Sequence, residues 1–89
     1  MTAEQTTFDF GDGLGEVRAH RHVNPGGQRT GWVANTAYVG ERVFIADTAR
    51  ICSGAIIQSG AFIDKGATIG KGVFIKPHTV VPADAVVTQ

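Results

Sequence analysis

Three histidines and one cysteine are the side chains in this sequence with the most evident capacity for chemistry. His20 and His22 stand two apart in "EVRAHRHV", so on a strand both imidazoles share one face, with Arg18 alongside. Imidazoles at that spacing suit a metal ion or an anion. The plainer reading is a hydrogen-bonded pair on a surface, and no metal is assigned, with these two histidines as weak candidates. His78 lies apart from them, in "IKPHTVVPADAVV". Cys52 is the one cysteine, so no intrachain disulfide can form, and a lone thiol suits a reducing compartment.

What must position these groups is small. A chain of 89 residues makes one domain at most. Folding at this size removes roughly 63% of the unfolded chain's surface, so a second copy or a repetitive backbone ladder would add needed stability. Eight acidic and eight basic residues cancel and no basic run occurs, which nominates neither nucleic acid nor an anionic membrane as a partner. There is no apolar stretch near the ~20 residues of a membrane span, and no charged start followed by an apolar signal segment. The expectation is a soluble protein of the cytoplasm or of a virion.

The strongest pattern is a period of six. Val33, Val39, Ile45, Ile51, Ile57, Ile63, Ile69, Ile75, Val81 and Val87 are all β-branched and apolar. Val and Ile make up 17 of the 89 residues, and such a run would arise by chance less than about once in a million sequences. Four residues after each of the first nine stands a companion, usually small: Ala37, Val43, Ala49, Ala55, Ala61, Ala67, Val73, Thr79 and Ala85. A coil of three short strands and three tight corners, eighteen residues per turn, satisfies the pattern. Residues two apart on a strand face the same way, so each companion and the apolar residue after it point inward. The corner position reads Thr36, Arg42, Thr48, Gly54, Gly60, Gly66, Gly72, His78 and Asp84. Four consecutive glycines predict positive φ at that position.

Units such as Ile69-Gly70-Lys71-Gly72-Val73-Phe74 resemble the bacterial transferase hexapeptide repeat over residues 33–89. That resemblance implies a left-handed parallel β-helix of about three coils, assembled as a trimer. The hand comes from the resemblance alone, since the general crossover rule gives the opposite one. Enzymes of this family often use a histidine at a subunit boundary as general base, and His78 is the residue onto which that role would carry. Against acyl-CoA chemistry, three coils at ~4.8 Å each make a prism only ~15 Å tall, and residues 33–87 contain no excursion loop. The zinc ligands of the related gamma-class carbonic anhydrases have no counterpart here, His78 being the only histidine of the repeat. No cofactor is expected. Residues 19–40, "AHRHVNPGG" through "TAYVG", also look like a lead-in seen in some small hexapeptide-repeat proteins of phage and bacterial genomes.

Outward strand residues sort by eighteens into three columns: Tyr38, Ile56, Phe74; Phe44, Phe62, Val80; and Trp32, Arg50, Thr68, Val86. Two adjoining walls are apolar, and on the third Trp32 and Arg50 are placed to stack. A cyclic trimer needs two different patches per subunit, which the two apolar walls supply. The corner between them, with Glu41, Arg42, Pro77 and His78, would then face the three-fold axis. Residues 1–32 break the repeat and are expected to cap the first coil, with Phe8, Phe10, Leu14 and Val17 as lid residues. The sequence stops two residues after Val87 with no closing element, so a larger protein assembly is expected to bind the cap or the last coil. The leading expectation is a non-catalytic trimeric β-helix module, possible as a phage-type virion structural protein; the alternative is a minimal acyl-CoA-dependent acyltransferase with His78 as base.

Overall fold

The computed structural model describes residues 6–11 and 13–88. The polar start at residues 1–5, Asp12 of the first turn cluster and Gln89 lie outside them. The described chain is all-β. Its strands are β1 (Thr7–Asp9), β2 (Glu16–Val23), β3 (Arg29–Ala34), β4 (Tyr38–Val39), β5 (Phe44–Ile45), β6 (Arg50–Ile51), β7 (Ile56–Ile57), β8 (Phe62–Ile63), β9 (Thr68–Ile69), β10 (Phe74–Ile75), β11 (Val80–Val81) and β12 (Val86–Val87). From β3 onward they stack as a parallel β-solenoid of about three turns. One wall runs β4-β7-β10, the next β5-β8-β11, and the third β3-β6-β9-β12. Among the described residues no helix is long and apolar enough to cross a membrane.

From β4 onward each strand is only two residues long, so its stability comes from register rather than length. Val39 pairs with Ile57 and Ile57 with Ile75; Val33, Ile51, Ile69 and Val87 form a second column, and Ile45, Ile63 and Val81 a third. Ile45, Ile51, Ile57, Ile63 and Ile69 are fully buried, with Ala49, Ala55, Ala61 and Ala67 filling the narrower space beside them. Each such isoleucine contributes roughly 1.5–3 kcal/mol by leaving water. The six-residue period is therefore the signature of a triangular interior, with one large and one small inward side chain per wall.

The corners explain the glycines. The amide of Ala61 donates to the carbonyl of Gln58, and Ala67 to Asp64, closing four-residue turns with Gly60 and Gly66 third. Those glycines have φ of 76° and 72°, the value a type II turn demands at that place. Arg42, Thr48, His78 and Asp84 take the same conformation without being glycine. Pro77 occupies the turn's second place, between Lys76 and His78, where its fixed φ is favourable. Thr36 is the exception to the expected column. It is absent from the positive-φ set, and its hydroxyl instead accepts a hydrogen bond from the amide of Gly54 at 3.2 Å.

Residues before the coils form a hairpin. β1 pairs antiparallel with β2, and β2 pairs antiparallel with β3, sitting above it as the next rung of the third wall. The expected lid is built differently from the reading above. Phe10, Ala19, Ala34 and Cys52 form a second buried cluster, flanked by Phe8, Val17 and Trp32 and separate from the interior columns. Leu14 is half exposed. The alternation of β2 gives the reason. Ala19 and Arg21 oppose Ala34 and the outward Trp32, whereas His20 opposes the inward Val33. The apolar side of the hairpin thus wraps the outside of the third wall, and its histidine side is turned to the mouth of the solenoid.

Candidate functional site

At that mouth the first coil has no rung above it on two walls, so its upward backbone groups need other partners. One rung lower, the equivalent groups Ala61 C=O and Ile63 C=O accept from the amides of Phe44 and Ala46. On the first coil, side chains take over. The Asn24 carboxamide donates to Ile45 C=O at 3.0 Å and accepts from Ile45 N–H at 2.9 Å. His22 Nε2 donates to Val43 C=O at 2.9 Å, which places its proton on Nε2. Asn24 and His22 together stand in for a missing strand above β5. Asn24 is held by its own turn: Gly27 N–H donates to Asn24 C=O, and Asn24 N–H to Gln28 C=O. It is buried.

The histidine pair does not converge on a shared ligand. His20 Nδ1 donates to the Asn35 side-chain oxygen at 2.7 Å, while His22 reaches across to Val43. Among the described residues no three His, Cys, Asp or Glu side chains gather to hold a metal. Burial lowers the His22 pKa below its ordinary value; the bond to Val43 C=O opposes the shift, and the neighbouring His20 adds to it. No signal in the sequence singled out Asn24, although its place at the head of "NPGG" marked a turn.

His78 lies on the corner between the two apolar walls. Its backbone amide donates to Ser59 C=O at 3.0 Å, and its ring sits over the Cα of Gly60, where a Cβ would clash with Nδ1. No hydrogen bond to the ring is present among the described residues. Arg42 and Pro77 are exposed on the same corner.

The two walls expose their columns unevenly. Tyr38, Ile56 and Phe74 are 60%, 37% and 56% exposed, and Phe62 and Val80 are 36% and 67%. Phe44 is half-buried because it stacks on Phe62, ring centroids 4.8 Å apart and planes 6° from parallel.

On the third wall the predicted Trp32–Arg50 stack is replaced by a longer one. Phe8 stacks on Trp32 at 4.9 Å and 14°; Arg21 lies 5.4 Å from the Trp32 ring, and Arg50 lies 5.5 Å from the Phe8 ring. The hairpin carries Phe8 into the place Arg50 would otherwise occupy. Arg21 Nε also donates to Thr30 C=O. A hollow of about 430 Å³ opens beside this stack and is lined also by Asp47 and Thr48.

Comparison of the chain with protein-family models, with curated proteins and with solved structures finds no match.

Proposed function

We propose that this chain is a non-catalytic, self-associating β-solenoid of the left-handed hexapeptide-repeat type, acting as a rigid trimeric interaction module. The observation that carries the reading is the pair of adjoining apolar walls, Tyr38, Ile56 and Phe74 on one and Phe44, Phe62 and Val80 on the other. A head-to-tail ring sets the first wall of one copy against the second wall of the next, covering both. The Arg42, Pro77 and His78 corner then lies nearest the three-fold axis, and the third wall faces outward. Repeat geometry supports the same reading: stacked two-residue strands on an incompressible aliphatic interior make a peg, with little of the loop surface from which catalytic sites are usually built. A larger assembly of the phage-structural kind would hold such a peg by its N-terminal segment or its last coil.

Mass by light scattering at micromolar concentration tests this directly. The expected result is a trimer that Phe62→Glu and Phe74→Glu each convert to folded monomers, judged by unchanged far-ultraviolet circular dichroism. A wild-type monomer overturns the reading. Titration with acetyl-CoA probes the enzymatic alternative, because a ligand that binds only the folded chain raises its melting temperature. No saturable rise is expected; a saturable rise abolished by His78→Ala would assign acyl transfer instead.

A further inference from the structure

We propose that the hollow on the third wall binds a hydroxylated organic carboxylate of single-sugar size, a sugar acid. The argument is independent of self-association, since it concerns the wall that neither apolar column uses. Two guanidiniums, Arg21 and Arg50, border the hollow, and neither has a carboxylate partner among the described residues. Arginines without a carboxylate partner in a concave site favour an anion, and their planar forks match a carboxylate; Arg21 spends only its Nε, on Thr30 C=O. Asp47 and Thr48 also line the hollow; the Thr48 hydroxyl donates to the Asp47 backbone carbonyl, which leaves its oxygen to accept from a ligand. A simple anion would be repelled by Asp47, whereas a ligand bearing hydroxyl donors as well as a carboxylate satisfies both kinds of group. The edges of Trp32 and Phe8 supply apolar surface for ring C–H groups. At about 430 Å³ the space lies near the small end of ligand pockets, enough for one sugar ring and too little for a large cofactor.

Cation–π packing alone accounts for where the guanidiniums sit, but two further features of the same hollow lie outside it. Thr48 has φ of 66°; of the four non-glycine residues in this conformation among those described, it alone is β-branched. A β-branched side chain there is strained, and strain of this kind is retained at functional positions. Thr30, two residues before Trp32 and so on the same side of β3, is more than nine-tenths buried, and its Oγ1 has no hydrogen-bond partner. A covered hydroxyl left without a partner beside a hollow calls for an explanation, and a ligand that draws it round to the hollow would supply one.

Trp32 is the only tryptophan, so its fluorescence reports on this site alone. The full-length protein is titrated with glucuronate, with glucose and inorganic phosphate as matched controls. The expected result is a saturable change with glucuronate that weakens as salt rises, and at least tenfold weaker binding of glucose and of phosphate. Arg50→Gln is expected to weaken glucuronate at least tenfold. Thr48→Gly is expected to raise the melting temperature while weakening binding, the pairing a purely structural threonine would not give. Absence of saturation by ~10 mM glucuronate overturns the proposal, as a site that weak recognises nothing. Equal response to glucose removes the carboxylate from it, and equal response to phosphate removes the sugar; either result also overturns it.

Discussion

The middle of the solenoid and its mouth solve one problem by opposite means. In the middle, every rung is both template and copy: Ile63 stacks between Ile45 and Val81, and its wall's backbone groups find partners one rung above and one below. The order is generic, because any aliphatic residue of the right size and any backbone will serve. At the mouth the template runs out, and individual side chains must imitate it. Asn24 supplies one donor and one acceptor to Ile45, and His22 one donor to Val43. The wall over β4 has no such substitute among the described residues, and Ala37 and Val39 there are only half-buried. A repeat protein therefore carries two kinds of stability. One is spread over many interchangeable contacts, and the other is concentrated in a few that cannot be exchanged.

Breaking the repetitive part should have the largest effect. Ile63→Ala in the middle coil removes a fully buried side chain between two rungs that cannot close together, at an expected cost of about 4 kcal/mol. For a domain of this length that lowers the melting temperature by roughly 15–30 °C, measurable by thermal or urea unfolding. A loss below about 1 kcal/mol would mean the columns are not the main support.

The mouth comes next. Asn24→Ala leaves Ile45 N–H and C=O unpaired in a buried place, at an expected cost of about 2–3 kcal/mol. Asn24→Asp sharpens the comparison, since it keeps an acceptor for Ile45 N–H but sets a carboxylate against Ile45 C=O. It should be at least as damaging as alanine. If both variants match the wild type in urea midpoint, water caps the edge equally well, and the mouth is as generic as the middle.

This division also marks what could be read from the sequence. The inward columns were legible because they repeat: ten β-branched residues in one register leave a single geometry. The corner glycines were legible for the same reason, and Thr36 escaped because a side-chain hydrogen bond replaced the backbone conformation at one corner. The mouth occurs once and has no period. Phe8, Phe10 and Val17 read as lid residues because they are apolar, but the direction each faces was set by the pairing of β2 with β3. That pairing turned them onto the third wall and put His20 and His22 over the opening. Phe8 could not be placed between Trp32 and Arg50 by any argument of spacing, since its position depends on how far the hairpin curls. The apolar walls needed only the eighteen-residue turn.

The smallest effect expected is the dependence of the mouth on pH, and it separates the histidine's contribution from that of Asn24. His22 is partly desolvated and close to His20, so its folded pKa lies below the ordinary 6.5 that it regains on unfolding. Between those two values the unfolded chain binds more protons than the folded one, and stability rises with pH. The contribution of His22 is complete above about pH 6.5 and is lost as pH falls through the folded value. Protonation leaves Nε2–H in place to donate to Val43, so the loss comes from holding a charge in a half-buried position beside a second imidazole. His22→Gln keeps a side-chain donor for Val43 without a titrating group. Urea midpoints measured from pH 8 down to about pH 5 should decline in the wild type and decline less in His22→Gln, while Asn24→Ala should shift the whole curve downward and keep its slope. Equal slopes in wild type and His22→Gln would place the pH sensitivity elsewhere and leave His22 as a plain hydrogen-bond donor at the edge of β5.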